Sequence, residues 1–135
     1  MTRAGFIFAE SIPEWVEGAR YVGHVRSGHA SKRDLFSDIS AAFKFPDYFG
    51  YNWNALIECL SDLEWIRPVD HVVVNHHGLP LAPGSDLEHY IGCLAACCRR
   101  SLECNDTSFW PLFPSVTRPT IETILRANCE DRWLL

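Results

Sequence analysis

Three consecutive valines, Val72 to Val74, constrain the fold of this chain most strongly. They lie in the segment 69–75, which Pro68 precedes and a loop rich in proline and glycine follows. A short β-branched run without polar alternation is typical of a strand buried on both faces, as strands of parallel sheets are. The sequence therefore predicts a central, fully covered strand.

The segments around this strand alternate between helix and strand patterns. Residues 19–25 and 107–113 have strand character, whereas residues 31–43, 52–63 and 85–102 have apolar side chains at helical spacing. The order strand–helix–helix–strand–helix–strand requires crossover connections, so we expect the three strands to be parallel.

Other segments fit this pattern less closely. Gly5 to Ala9 is a short apolar run that is compatible with a further strand, and Pro119 is placed to begin a short helix near the C-terminus. Pro111 lies inside the last of the three strands, and because proline has no amide hydrogen it indicates an edge strand or a short piece.

Composition excludes several classes of function. The 135 residues suit one domain over 1–135, and a net charge of −5 argues against direct binding to a nucleic-acid backbone. No apolar segment approaches the length of a membrane span, and the apolar stretch among the first residues is too short for that of a signal peptide. We therefore expect a cytoplasmic protein. In that compartment the six cysteines are expected to be reduced thiols.

Residues 45–66, here called the acidic segment, contain no Lys, Arg or His. The predicted helix within it separates two stripes. Its apolar stripe is expected to face the core, and its opposite stripe carries Asn54, Glu58, Ser61 and Asp62. The acidic segment also carries four carboxylates and six aromatic side chains, which are Asp47, Glu58, Asp62, Glu64, Phe45, Tyr48, Phe49, Tyr51, Trp53 and Trp65. Such a surface suits a cationic partner and repels nucleic acid.

The acidic segment contains the run Pro46-Asp47-Tyr48-Phe49-Gly50, then Asn52, then Asn54-Ala55-Leu56 and Glu58-Cys59-Leu60. This combination resembles the signature of the barstar family, small intracellular inhibitors of secreted or toxin-type ribonucleases. It implies an α/β fold with a three-stranded parallel sheet packed with helices. The family core would cover about residues 19–115, with short N- and C-terminal extensions.

The resemblance also implies roles for individual residues. Tyr48 matches the loop aromatic that covers the catalytic site of the enzyme, and Glu58 matches the helix carboxylate that takes the place of a phosphate. Asn54 stands where the family has a second carboxylate, which removes one charge, and Asp62 and Glu64 are expected to restore negative charge further along the chain. Asn52 is expected to cap the helix. The predicted partner-binding residues are Tyr48, Tyr51, Asn52, Asn54, Glu58 and Asp62.

Several questions stay open from the sequence. Tyr51 suits either a rim contact with the partner or a turn aromatic. Glu88 and Glu103 are both candidates for a further acidic contact from the third helix. The partner is expected to be a ribonuclease or nuclease toxin with a basic active site. No cofactor and no metal are expected, because no motif places ligands at a suitable spacing.

Three other functions compete with ribonuclease inhibition. The same scaffold could serve as an immunity protein against a toxin of another activity, or as a regulatory module without a toxin. His76 and His77 follow a predicted strand, so a small hydrolase is a further alternative, although we expect both histidines to lie in a solvated loop. Cys93, Cys97 and Cys98 are expected to be buried thiols on a helix.

Overall fold

The structure, a computed structural model, describes residues 2–104 and 106–135, with the backbone alone at Cys104. Its described part contains four strands and four α-helices. Their bounds are β1 Ile7–Phe8, β2 Arg20–Val25, α1 Lys32–Ala42, α2 Trp53–Asp62, β3 His71–His76, α3 Ser85–Cys104, β4 Ser108–Phe113 and α4 Arg118–Ala127. Short 3₁₀ turns at Ser115–Thr117 and Asp131–Trp133 flank α4.

The strands form one sheet in the order β1-β4-β3-β2, and every pair is parallel. This confirms the expected α/β class and the parallel pairing of the three main strands. The expected number of strands was too small, because β1 adds a fourth. Only two residues, Ile7 and Phe8, pair there with Leu112 and Phe113, so the strand depends on a distant partner rather than on a strong local pattern.

Pro111 predicted either an edge strand or a short piece, and β4 is not an edge strand. It pairs with β3 on one side and β1 on the other, and all six of its residues are buried. The amide of Phe109 points toward the N-terminal segment and donates to the Arg3 carbonyl, so position 111 faces the same way. Pro111 thus falls between the isolated Ala4–Phe109 bridge and the Ile7–Leu112 pair, where the ladder is interrupted.

All four helices pack on one face of the sheet. Their buried residues form a single apolar cluster with Val72 and Val74, whereas Val73 points to the opposite face. There Ile12 and Val16 of the N-terminal segment cover it. Both faces of β3 are therefore buried, as the valine run predicted.

Local signals place the helices that matter for the site. Ser31 caps α1 by accepting from the Asp34 amide at 3.3 Å, and Asn52 caps α2 by accepting from the Ala55 amide at 2.9 Å. Leu63 ends α2 with a positive φ of 47°. The apolar stripe of α2 faces the core as predicted, with Leu56, Leu60 and Leu63 fully buried and Trp53 and Ile57 partly buried.

The two chain extensions pack against each other and against the sheet. The Phe6 amide donates to the Trp133 carbonyl at 2.7 Å, and the Phe6 ring stacks on Phe113 with 6.1 Å between centroids. Charges on α4 pair locally, because Glu122 bonds to both Arg118 and Arg126 at 3.0 Å.

We expect Phe6→Ala to lower the free energy of unfolding by about 3–5 kcal/mol, because the ring is fully buried and its removal leaves a cavity. Urea denaturation checks this, with the 85% exposed Val116→Ala as a control expected to change little. Equal effects of the two substitutions would show that the N-terminal extension is not part of the cooperative core.

His76 is the last residue of β3 and lies in the core, so the prediction of a solvated loop is wrong for it. The strand continues one residue further than expected, and its alternation turns His76 toward the helices. The Leu112 carbonyl can only accept, so Nδ1 donates to it at 2.9 Å and Nε2 accepts from the Tyr90 hydroxyl at 2.6 Å. The imidazole also stacks on Phe113 at 3.8 Å.

Burial lowers the pKa of His76 to about 3. The unfolded chain, with an ordinary histidine pKa near 6.5, binds a proton that the folded chain refuses between these values. The contribution of neutral His76 to stability is thus complete above about pH 6.5 and declines as the pH falls toward 3.

Between pH 6.5 and 4.5 the free energy of unfolding of His76→Gln should fall by about 2 kcal/mol less than that of the wild type. Urea unfolding at several pH values measures this, with exposed His89→Gln as the matched control that keeps the wild-type slope. Parallel pH curves for wild type and His76→Gln would contradict the assignment.

Candidate functional site

α2 and α3 run side by side in the same direction, with small thiols between them. The thiol of Cys93 donates to the Trp53 carbonyl at 3.7 Å, and one turn later the thiol of Cys97 donates to the Ile57 carbonyl at 3.9 Å. The Ser61 hydroxyl donates to the Cys97 sulfur at 3.7 Å. The four-residue step on both helices keeps them in register over this length.

The cysteines on these helices are inert packing groups. Burial raises the pKa of Cys93 and of Cys97 to about 12, and it raises that of Cys98 well above its ordinary value. They are free thiols in the structure, as are buried Cys59 and exposed Cys129. This confirms the prediction of buried thiols on the third helix. The side chain of Cys104 lies outside the described part of the chain.

Beyond Cys97 the two helices border an open surface cleft of about 530 Å³, which we call the acidic cleft. Its walls come from α2, α3 and the loop before α2. The residues that line it are Tyr48, Glu58, Cys59, Ser61, Asp62, Arg100 and Glu103. The described residues of its lining include three carboxylates and one guanidinium, a net charge of −2, so the cleft attracts a cationic group.

Glu58 lies at the centre of this charge arrangement. Its side chain is 68% exposed, and its carboxylate lies 3.0 Å from the guanidinium of Arg100 on α3, which is 41% exposed. The acidic segment has no Lys, Arg or His in its sequence, but in three dimensions Arg100 brings positive charge to it. A partner cation that approaches Glu58 meets a carboxylate already engaged by Arg100.

Tyr48 forms the outer wall of the acidic cleft and is 71% exposed. Desolvation by its surroundings raises the pKa of its hydroxyl, and Cys59, Asp62 and Glu64 raise it further. The phenol therefore stays protonated at neutral pH and can donate a hydrogen bond to an incoming group. Its apolar ring is available for packing at the same time.

The other residues predicted to bind the partner divide between the cleft and its surroundings. Asp62 lines the acidic cleft, and Asn54 is exposed one turn before Glu58 on the same helix face. Asn52 is used locally, since it caps α2 and its amide donates to the Gly50 carbonyl at 3.2 Å. Tyr51 lies outside the cleft lining.

Tyr51 packs as a turn aromatic. Its ring lies 5.0 Å from that of Phe49, and the Arg33 guanidinium sits over it at 4.9 Å. It keeps a 38% exposed edge. The structure thus shows the packing role of Tyr51, while a rim contact stays a prediction.

The two acidic candidates on α3 occupy different places. Glu103 lines the acidic cleft together with Glu58 and Asp62. Glu88, four turns earlier, lines a separate groove beside Trp53 and His89. The structure therefore groups Glu103, and not Glu88, with the central carboxylates.

Sequence reasoning missed the position of Arg100, which meets Glu58 from a helix 42 residues away in sequence. A signal was available in hindsight. If Cys97 packs opposite Ile57 on two parallel helices, position 58 lies one residue beyond Ile57 and position 100 lies three residues beyond Cys97. Both positions are then at the same end of the interface. That inference requires the direction and register of two helices, which periodicity alone does not supply.

His76 is not available for the alternative function of a small hydrolase, because both of its ring nitrogens are hydrogen-bonded inside the core. His77 is exposed, and its Nε2 lies 3.0 Å from Nδ1 of His24 rather than next to a carboxylate. A histidine–carboxylate bond does occur at His29 and Asp38, where Asp38 also accepts from the Arg26 amide and holds the β2–α1 connection.

Residues 2–104 and 106–135 contain no group of three or more His, Cys, Asp or Glu side chains arranged to hold a metal ion. No helix among them is both long and apolar enough to cross a membrane.

Comparison with known proteins identifies the family of the chain. The family model described as barstar, the barnase inhibitor, matches residues 23–113. No curated protein and no solved structure gives a significant match. The matched range begins within β2, contains the acidic cleft and ends with β4. The chain belongs to the barstar family.

Proposed function

We propose that this chain is an inhibitor of a barnase-type ribonuclease and binds the enzyme through the acidic cleft and the adjoining exposed face of α2. The observation that carries the proposal is the cluster of Glu58, Asp62 and Glu103 beside exposed Tyr48, within the range matched by the family. The inhibitor performs no catalysis. It blocks the active site by occupying it.

Electrostatic complementarity supports this function. An enzyme that cleaves RNA must present positive charge to phosphates, and carboxylates on a rigid helix can occupy those positions. α2 is rigid because Leu56 and Leu60 are buried behind it and Asn52 caps it. The carboxylates are thus presented without a large cost in side-chain and backbone ordering.

Tyr48 supplies the second part of the proposed interface. A large exposed aromatic side chain is a frequent centre of binding energy. In a complex it excludes water from the charge pairs that form beside it. Its protonated hydroxyl adds a hydrogen-bond donor. Tyr48 would therefore cover the enzyme cleft while Glu58 and Asp62 meet its cations.

Asn54 favours a second candidate within the same class, an immunity protein for a toxin of another activity. It is exposed, it is neutral, and its side chain forms no hydrogen bond with another described residue. A partner with fewer cations than barnase would suit this position. Assaying the captured partner for RNA cleavage separates the two candidates.

Inhibition of RNA cleavage is the direct test. Purified chain titrated into barnase, and into other small basic ribonucleases, is expected to abolish cleavage of an RNA substrate at a 1:1 ratio. In the same assay, Glu58→Ala should weaken binding by about 2 kcal/mol or more, in the range of interface hot spots.

The matched control for Glu58→Ala is Glu14→Ala, an exposed carboxylate outside the acidic cleft, which should leave affinity unchanged. Both variants should unfold like the wild type in urea. Unchanged affinity of Glu58→Ala for an inhibited enzyme would place the interface elsewhere, and failure to inhibit any ribonuclease would overturn the proposed function.

Association should slow steeply as salt increases, because opposite charges on the two proteins accelerate their encounter and salt screens them. Stopped-flow measurements between low and physiological ionic strength check this. Dissociation should change much less. A flat dependence of the association rate on salt would indicate an apolar interface instead.

A further inference from the structure

Among the residues that the structure describes, Arg100 is the one cation that lines the acidic cleft, and it is bound to the carboxylate with the central role in the proposed interface. The two side chains belong to different helices and are 3.0 Å apart. Both are well exposed, at 68% for Glu58 and 41% for Arg100, so the pair can open without disturbing the core. The guanidinium therefore stands where a partner cation would contact Glu58.

Arg99 provides an internal comparison. It precedes Arg100 on α3, has a similar exposure of 44%, and pairs with Glu130 at 3.6 Å. It does not line the acidic cleft. Two adjacent arginines thus share charge, helix and exposure, and differ in whether they engage Glu58.

We infer that Arg100 is a specificity-determining residue, an internal competitor that a partner cation must displace from Glu58. This inference rests on the proposed function. Displacement has a low cost, because Glu103 lies three residues further along α3 and lines the same cleft, where it can receive the released guanidinium.

The competition favours partners whose own cation is held rigidly. A guanidinium or ammonium held rigidly in an enzyme cleft replaces Arg100 with little loss of freedom, whereas a mobile cation on an unrelated basic protein gains little from the exchange. The pair thereby weakens binding to unrelated basic surfaces more than binding to the matching enzyme.

The expected size of the effect follows from the exposure of the pair. An exposed ion pair changes an equilibrium constant by up to about fivefold. Arg100→Ala should therefore bind a ribonuclease about two- to fivefold more tightly than Arg99→Ala does. Both variants lose one positive charge, so the difference between them does not come from the change in net charge.

A double-mutant cycle tests this with barnase, or with whichever basic ribonuclease the wild type inhibits in the cleavage assay. Affinities are measured for wild type, Arg100→Ala and Arg99→Ala, and again with Glu58→Gln in each background. The gain of Arg100→Ala over Arg99→Ala should disappear when Glu58 is Gln, since no carboxylate is then left to release.

Each outcome has a separate meaning. Equal affinities for Arg100→Ala and Arg99→Ala would overturn the inference, as would a gain that persists with Glu58→Gln. Weaker binding of Arg100→Ala than of Arg99→Ala would show that Arg100 itself contacts the enzyme, which also contradicts competition. If the wild type inhibits no ribonuclease, the proposed function fails first and this inference with it.

Discussion

The close parallel packing of α2 on α3 determines what the functional surface can do. Small thiols at Cys93 and Cys97 let the helices meet through carbonyl contacts of 3.7 and 3.9 Å. One consequence is stiffness, because α2 is held from behind by its leucines and from the side by α3. The other is chemical: the same register brings Arg100 to Glu58, so the charge of the acidic cleft is set by two helices.

Features that depend on neighbouring residues could be predicted from the sequence. Asn52 caps α2 as expected, the valine run is buried on both faces, and the exposed stripe of α2 carries Asn54, Glu58 and Asp62. These features follow from capping chemistry and periodicity, which act within a few residues.

Features that depend on distant pairing could not be predicted in the same way. β1 is a two-residue strand that exists because β4 offers a partner, and by pairing there β1 places β4 and its Pro111 inside the sheet rather than at the edge. His76 enters the core because Tyr90 and the Leu112 carbonyl satisfy both of its nitrogens. Arg100 reaches Glu58 only once two helices are in register. No local pattern contains this information.

Charge is distributed unevenly over the fold. Residues 118–135 carry three basic and three acidic side chains, and on α4 Glu122 binds two arginines, so this part is neutral overall. Residues 45–66 carry four carboxylates and no Lys or Arg, which concentrates most of the net −5 there. Net negative charge is therefore concentrated at the acidic segment. In the field of a basic protein this uneven distribution produces a torque that turns the acidic segment forward before the surfaces touch, so encounters begin in a favourable orientation.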